Sequence, residues 1–215
     1  MPARNAEDTI EASLRSLLGQ SYVALEIIVV DDASSDRTLE IASTLARGDA
    51  RLKLLRNEHP LGAAGARNRG LRAVTAPFVT FHDADDHSAP QRIERQLAAL
   101  LNSPRASVAI CNYRRVDTQG RPMIVNGRHV AHSILSMLFR SELLQQKGYM
   151  PERVVGEDSG FFERLTNSDA ARIVRVDQCL YVALFRPNSL LFSNGEVSVA
   201  RGNEVTFRLD PKSGR

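Results

Sequence analysis

Three carboxylates lie within four positions in the stretch Asp83-Ala84-Asp85-Asp86, directly after the apolar run of residues 78–82. Such side chains repel one another unless a cation lies among them. A divalent ion that prefers oxygen ligands, Mg²⁺ or Mn²⁺, is the natural candidate. Because these ions usually share their coordination shell with substrate phosphates, the expected ligand is a diphosphate. The alternative is that these aspartates only form a turn and cap the following helix, which is the commoner meaning of an isolated Asp-x-Asp.

A second acidic pair, Asp31 and Asp32, follows the continuous apolar run of residues 25–30, which is typical of a strand buried in a parallel sheet. Ligands of such sheets bind beyond the carboxyl ends of the strands. If the two acidic strand ends are neighbours, five carboxylates line one crevice. A ligand can bind there only together with a metal ion or through neutral groups. Asp32 then accepts hydrogen bonds from a ribose or a nucleobase, and Asp85 holds the ion.

Two further segments carry polar residues that fit the same site. Residues 62–74 contain three glycines whose spacing does not match the dinucleotide-binding fingerprint, so a helix is predicted there. Arg67 lies on the face of that helix that points toward the strand ends, and the alternative is a surface arginine. Farther along, Asp158 follows Glu157 in a loop that enters a helix, and it is either a functional carboxylate or a simple N-cap.

The elements that must position these residues alternate between strand and helix in the first half of the chain. Asn5 is predicted to cap a first helix that contains Ile10 and ends near Gly19. The pattern predicts a doubly wound, largely parallel α/β sheet. Strands are expected at residues 25–30, 52–55, 78–82 and 107–113, and the later helices at residues 36–48, 62–74 and 90–101.

The second half gives weaker signals and is interpreted as a smaller, mixed extension of the same sheet. It contains a predicted turn at Gln119-Gly120 and a short helix that ends at Gly148. Strands are expected at residues 172–176, 179–185 and 204–209. No linker or repeat separates the halves, so residues 1–215 are expected to form a single domain with a nucleotide-binding half, 1–113, and an acceptor-side half, 114–215.

The composition excludes several classes of protein. The 215 residues are 43% hydrophobic and 25% charged, with a formal charge of +3 and two cysteines. No apolar run approaches the roughly 20 residues of a membrane span, and no signal peptide is visible. Lys and Arg are scattered, so a nucleic-acid partner is not expected. These features favour a cytoplasmic protein without a disulfide framework or a zinc site.

Taken in order, the motifs resemble those of the nucleotide-sugar glycosyltransferases of family 2, which have the GT-A fold. Any one of these motifs is weak evidence, but the ordered set extends over about residues 1–190. The matching segments are Pro2-Ala3-Arg4-Asn5-Ala6-Glu7, residues 26–34 with Asp31-Asp32, Gly65-Ala66-Arg67-Asn68-Arg69-Gly70, Asp83-Ala84-Asp85-Asp86 and Gly156-Glu157-Asp158.

This resemblance implies a metal-dependent, inverting transfer of a sugar from a nucleotide diphosphate, with UDP as the default, to a hydroxyl group. Asp85 would bind Mn²⁺ or Mg²⁺ and Asp158 would be the general base that takes the acceptor proton. The residues implied to bind the nucleotide are Pro2, Ala3, Asn5, Asp32 and Arg67, with Asp83 at the ribose.

Two departures from the family pattern refine these expectations. Family members have a strand directly before the Pro-Ala segment, whereas only Met1 precedes it here. We therefore expect a chain that lacks its first strand. The chain has no Trp and so lacks the Gln-x-x-Arg-Trp motif of processive synthases, which favours single sugar addition.

The acceptor is expected to be a saccharide or a lipid-linked saccharide, as in cell-surface polysaccharide synthesis. Peripheral association with the inner face of the membrane and the oligomeric state are left open. The acceptor is expected to be chosen by the loops at residues 126–132 and 186–191. Two alternatives remain: a non-catalytic or truncated, inactive nucleotide-sugar-binding protein, and a Rossmann-like enzyme that uses a dinucleotide or a methyl donor.

Overall fold

The computed structural model describes residues 1–151 and 157–186 and the backbone of two further strands near the C-terminus. Strands and helices alternate through the first half of the chain, as predicted. The strands are β1 Pro2–Ala3, β2 Ile27–Asp31, β3 Leu52–Arg56, β4 Phe78–Thr80, β5 His87–Ser88, β6 Val108–Val116, β7 Ile124–Val125, β8 Ala131–Arg140, β9 Ile173–Leu184, β10 Val197–Val199 and β11 Glu204–Phe207. The helices are α1 Ile10–Leu18, α2 Thr38–Gly48, α3 Gly62–Arg72, α4 Arg92–Leu101, α5 Leu143–Lys147 and α6 Glu157–Thr166, and a 3₁₀ turn spans Ala170–Arg172.

The first sheet has the order β1-β2-β3 and is parallel throughout, as the sequence predicts. Every residue of β2 is buried, which explains its unbroken apolar, β-branched sequence. Val29 packs with α1 and α2 on one face, and Val30 packs with Ala66 of α3 on the other. The two acidic residues at the end of β2 are thereby held between two layers of helix.

The second sheet has the order β4-β8-β6-β9-β5 and is mixed. Only β6 and β9 pair in parallel within it, because β8 and β5 each run antiparallel to their neighbours. Two separate strands were predicted where the single strand β9 is found. Shifts in the pairing of β6 with β9 around Asn112 absorb the polar residues in the middle of β9, so that the strand continues through them.

The first helix begins later than the sequence predicts. Asn5 is not its N-cap, because α1 starts at Ile10 and Thr9 occupies the cap position. Asn5 instead has a φ of +48°. Its side-chain oxygen accepts a hydrogen bond from the backbone N–H of Ser35 at 3.0 Å. The residue thus connects the segment after β1 with the loop after β2.

A third, small sheet contains strands from the last part of the chain. Its order is β10-β11-β7, with β11 parallel to β7. The expected strand at residues 204–209 is found as Glu204–Phe207. The Gly156 position of the Gly-Glu-Asp segment and the loop from residue 187 lie outside the described residues.

A cleft separates the first sheet from the second, since β2 and β4 both border it and are not paired with each other. Its cavity volume is about 160 Å³ and its lining is mostly apolar, with Ile28 and Phe78 among the lining residues. The N-terminal ammonium of Met1 lies in it and donates a 2.8 Å hydrogen bond to the carbonyl of Ile28. Burial, aided by the charge of Arg67, lowers the pKa of this amine to about 5.

Candidate active site

The acidic loop, residues 83–86, connects β4 to β5 and is fastened to β9 by its last aspartate. The carboxylate of Asp86 accepts a 2.6 Å hydrogen bond from the hydroxyl of Tyr181 and a 3.0 Å bond from the backbone N–H of Leu184. Burial and the neighbouring charges of Asp83 and Asp85 raise the pKa of Asp86 well above its ordinary value. With both oxygens engaged by the protein, Asp86 serves to position the loop.

Arg67 links this loop to the Glu-Asp pair at the start of α6. Its guanidinium donates to Asp83 at 2.7 Å, to Asp158 at 3.1 Å and to Glu157 at 3.2 Å. The side chain is only 5% exposed, so the surface-arginine alternative is wrong. Burial disfavours its charged form, but the charges of Asp83 and Asp158, with that of Glu157, outweigh this effect and raise the pKa of Arg67. One buried cation therefore holds three carboxylates from two distant segments together.

Asp158 has the electrostatic properties of a general base that works near neutral pH. Burial raises the pKa of its carboxyl group to about 6. Arg67 acts against this rise, whereas the charges of Asp83 and Glu157 add to it. A base with a pKa near the working pH is both deprotonated and strong enough to accept a proton.

The helix that carries Asp158 is held in place by aromatic packing, and an amide of α3 holds Met150, which precedes that helix in the chain. Phe161 of α6 is completely buried, with its ring centroid 6.1 Å from that of Phe81 and 5.5 Å from that of Phe139. The buried side chain of Asn68 donates to the carbonyl of Met150 at 3.0 Å and accepts from its N–H at 2.8 Å. The ring contacts pack α6 against β8 and the residue after β4, and the amide fastens Met150 to α3, from which Arg67 extends.

Asp85, the expected metal ligand, is paired with an arginine from the other half of the chain. Arg186 donates from its Nη2 at 2.6 Å and from its Nε at 3.1 Å to the same oxygen, Oδ2. Burial and the charge of Asp83 raise the pKa of Asp85, and the charge of Arg186 lowers it. This carboxylate and its neighbours have the oxygen donors that Mg²⁺ and Mn²⁺ prefer.

The rest of such an ion's coordination would come from outside the protein. The part of the chain that the structure describes holds no cluster of three or more His, Cys, Asp or Glu residues arranged to bind a metal. Mg²⁺ is typically held by one or two carboxylates together with substrate phosphates and water. The donor set around Asp85 therefore fits a shared protein–substrate ion.

Asp32 lies on the other side of the candidate site, next to β1, and its carboxylate organises the loop before α3. Its backbone N–H donates to the carbonyl of Ala3 at 2.8 Å. Its Oδ1 accepts from the Asn57 amide at 2.6 Å and from the Leu61 N–H at 2.8 Å, while Oδ2 accepts from the Gly62 N–H at 2.9 Å. These bonds leave acceptor capacity on Oδ2 for a ligand.

Asp31 lies at the end of β2, between β1 and β3. It pairs in register with Ala3 of β1 and Arg56 of β3, and its carboxylate has no hydrogen-bond partner among the described residues. The nearest cation, the Nε of Arg56, is 3.5 Å from Oδ2. Pro2, at the start of β1, pairs with Val30 of β2.

Contacts among the described residues connect the predicted site residues into two groups. Arg67 joins Asp83 and Asp158 directly, and Asp85 lies in the same loop. The other group surrounds the end of β1 and consists of Pro2, Ala3, Asn5 and Asp32.

Two contacts of the acidic loop had no signal in the sequence. Arg186 is 101 residues from Asp85, and Tyr181 is 95 residues from Asp86. Both come from β9 or its end, and their partners depend on how β9 pairs with β5 and β6. Only the folded arrangement brings them to the acidic loop.

The family model described as "Glycosyl transferase family 2" matches residues 1–166. The chain belongs to this family. Its GT-A fold and its glycosyltransferase relatives agree with the resemblance found in the motifs, and membership excludes the dinucleotide and methyl-donor alternatives. No described helix of this family 2 protein is long and apolar enough to cross a bilayer.

Curated relatives of this family 2 chain act in bacterial polysaccharide synthesis. It is 44% identical over 103 residues to the UDP-Glc:alpha-D-GlcNAc-diphosphoundecaprenol beta-1,3-glucosyltransferase WfgD of Escherichia coli, covering 48% of this chain and 40% of WfgD. It is 28% identical over 223 residues to the succinoglycan biosynthesis protein ExoU of Rhizobium meliloti, covering 93% of this chain and 65% of ExoU. The chain therefore spans less than two thirds of each of these relatives.

Solved structures share the fold. S. aureus TarS 1-349 in complex with UDP superposes with a TM-score of 0.69 at 27% identity, covering 86% of this chain and 59% of TarS 1-349. The mannosyltransferase PcManGT from Pyrobaculum calidifontis, in complex with GDP-Man and Mn²⁺, gives a TM-score of 0.67 at 22% identity. That match covers 85% of this chain and 55% of PcManGT, and it supports the fold alone.

Proposed function

We propose that this protein is an inverting glycosyltransferase that moves a sugar from a UDP-sugar to a hydroxyl group of a saccharide or lipid-linked acceptor. The observation that carries the proposal is the Arg67 bridge, which holds Asp158 beside Asp83 of the acidic loop. A base and a diphosphate-binding loop must be neighbours in this reaction, because the acceptor oxygen attacks the sugar carbon that bears the diphosphate. Their contact through one buried arginine supports that arrangement.

In the proposed reaction Asp158 takes the proton of the acceptor hydroxyl while its oxygen attacks the anomeric carbon. The attack comes from the face opposite the leaving diphosphate, so the configuration at that carbon inverts. Arg67 orients the Asp158 carboxylate and keeps a large fraction of it deprotonated near neutral pH. Glu157 accepts a hydrogen bond from the same guanidinium nitrogen, at 3.2 Å.

The donor is proposed to lie between the two groups of site residues. Pro2, Ala3, Asn5 and Asp32 would bind the nucleoside, and Asp83 would contact the ribose. Asp85 would hold a Mn²⁺ or Mg²⁺ ion, which would supply Lewis-acid stabilisation of the leaving diphosphate. UDP is favoured because WfgD is named for UDP-Glc and TarS is solved with UDP and with UDP-GlcNAc.

The acceptor and the cellular location are proposed from the same relatives. WfgD is named for an acceptor linked to diphosphoundecaprenol, and a lipid-linked saccharide is therefore the first acceptor to test. Such an acceptor would bring the protein to the cytoplasmic face of a membrane as a peripheral enzyme.

Binding and transfer can be tested separately. UDP is expected to bind in the presence of Mn²⁺ and to lose most of its affinity when EDTA is added, as measured by calorimetry. Asp158→Asn should retain this binding, while transfer from UDP-glucose to a GlcNAc-diphospho-lipid falls by about 10²- to 10⁴-fold, the usual contribution of a general base.

Glu157→Gln is the matched control, because it removes the neighbouring carboxylate from the same nitrogen of Arg67. Full transfer by Asp158→Asn would exclude Asp158 as the base. UDP binding without turnover on a panel of saccharide and lipid-linked acceptors would instead favour the non-catalytic alternative.

A further inference from the structure

Asp85 is not an open carboxylate in this structure, because Arg186 lies against it. Both guanidinium contacts, at 2.6 and 3.1 Å, are made to Oδ2. The Asp85 side chain is 21% exposed and that of Arg186 is 37% exposed, so the pair is partly shielded from solvent. It is therefore stronger than a fully solvated surface pair.

The backbone before Arg186 is anchored, which makes this contact a built feature of the fold. The N–H of Leu184 donates to Asp86 at 3.0 Å, and the N–H of Phe185 donates to the carbonyl of Val116 at 2.8 Å. The first of these bonds ends on the acidic loop itself. The loop and the base of the Arg186 side chain are thus held at a fixed distance.

Each carboxylate of the acidic loop has a different partner. Asp83 receives the Arg67 guanidinium, and Asp86 receives the Tyr181 hydroxyl. Arg186 is the cation that contacts Asp85 among the described residues. The guanidinium therefore supplies the positive charge that an ion would bring to this carboxylate.

We propose that Arg186 competes with the divalent ion for Asp85, so that the ion binds weakly until a nucleotide diphosphate is present. This inference rests on the proposed function, since the ion is the one that the transferase would use. A guanidinium and a divalent cation on one carboxylate repel each other strongly at such short range in a partly buried site. The two or more negative charges of a diphosphate offset both cations, and they allow the ion and Arg186 to remain near the loop together.

The competition can be measured without any catalytic turnover. Mn²⁺ is titrated by calorimetry into the full chain and into Arg186→Gln, first without and then with saturating UDP. Without UDP, we expect the variant to bind Mn²⁺ about 5- to 50-fold more tightly than the unmodified chain, a range typical of couplings between two bound groups. With UDP the difference should shrink, because the diphosphate already offsets the guanidinium.

Three controls assign this effect to the contact. Arg15→Gln makes the same change in net charge at a side chain that is 65% exposed and paired with Glu11, and it should leave Mn²⁺ affinity unchanged. Arg186→Lys keeps the charge and should bind Mn²⁺ as weakly as the unmodified chain. Asp85→Asn added to Arg186→Gln should abolish the gain, and urea denaturation verifies that each variant is folded.

Equal Mn²⁺ affinities for Arg186→Gln, Arg15→Gln and the unmodified chain, or no measurable binding by any of them, would overturn the inference. If UDP binding and sugar transfer are observed with such equal affinities, the proposed function stands and only the competition is wrong. If Arg186→Gln binds Mn²⁺ more tightly but no nucleotide diphosphate binds, the competition stands and the proposed function is wrong.

Discussion

Arg67 determines the charge balance of the candidate site. It is the one described cation in contact with Asp83, Glu157 and Asp158 together, and it lowers the pKa of Asp158 against the effects of burial and of the other carboxylates. The protonation state of the proposed base is thus set by an arginine 91 residues away in the chain.

The activity of the unmodified protein should fall on the acidic side with an apparent pKa near 6, because Asp158 must be deprotonated to accept a proton. Arg67→Met removes the charge that lowers this pKa, so the acidic limb of kcat/KM should move up by about one pH unit or more. Arg67→Lys keeps a charge and should move the limb less. The measurement is kcat/KM from pH 4.5 to 8. Identical acidic limbs in the pH profiles of all three proteins would contradict this role of Arg67.

The motifs indicated candidate site residues but not their contacts. Asp85, Asp158 and Arg67 each stand at a motif position, and the sequence placed Arg67 on the correct side of its helix. It could not show that Arg67 contacts carboxylates, because that depends on α6, which is 90 residues farther along. A contact between distant segments leaves no local pattern in the sequence.

At the level of the elements, Glu26, the residue directly before β2, holds the loop before β4. Its carboxylate accepts from the backbone N–H groups of Thr75 and Ala76 at 2.7 and 2.8 Å and from Lys53 at 2.7 Å. Burial alone would raise the pKa of Glu26, but the bonds from Lys53, Thr75 and Ala76 lower it to about 2. Glu26 therefore ties together the two borders of the cleft.

Because the pKa of Glu26 is depressed in the folded protein, its contribution to stability is complete above its ordinary value of 4.5 and is lost as the pH falls toward 2. Glu26→Gln should therefore lower the free energy of unfolding at pH 7 by about 1 to 3 kcal/mol, and by much less at pH 3. Urea denaturation at both pH values measures this difference. Glu11→Gln, at an exposed ion pair, is the control and should change little at either pH; an equal loss at both pH values would refute the role of the charge.

Elements whose apolar residues follow a regular local pattern could be predicted from the sequence. Elements that depend on pairing with distant strands could not. Helix α4 has apolar residues at helical spacing, and β2 is an unbroken apolar run, so both were expected close to where they lie. Strand β5 has only two residues, and β9 contains a polar centre that the sequence suggested was a break. Their strand conformation comes from the neighbours with which they pair.

For the whole molecule, the cleft between the two sheets is a mostly apolar space that is bordered by strands. An extended, β-branched apolar segment of about six residues placed before Met1 should enter the cleft beside β2, because burial of apolar surface is favourable by roughly 25 cal/mol per Å². It would also replace the buried terminal amine, whose pKa is about 5, by an amide.

We expect this apolar extension to raise the melting temperature by several degrees, at about 2 to 4 °C for each kcal/mol gained in a chain of this size. A Gly/Ser extension of equal length is the control, since it converts the terminal amine of Met1 to an amide without supplying apolar side chains. Differential scanning calorimetry compares the two with the unextended chain. Equal melting temperatures for the two extensions would show that the cleft does not accept a strand.

Both ends of the acidic loop continue into strands of the same five-stranded sheet, β4 and β5. The conformational entropy of this segment is therefore lost during folding, and little remains to be lost when a donor arrives. Discrimination among nucleotide sugars should accordingly depend on which groups they present to a preorganised surface, and donor analogues should differ in their dissociation rates more than in their association rates.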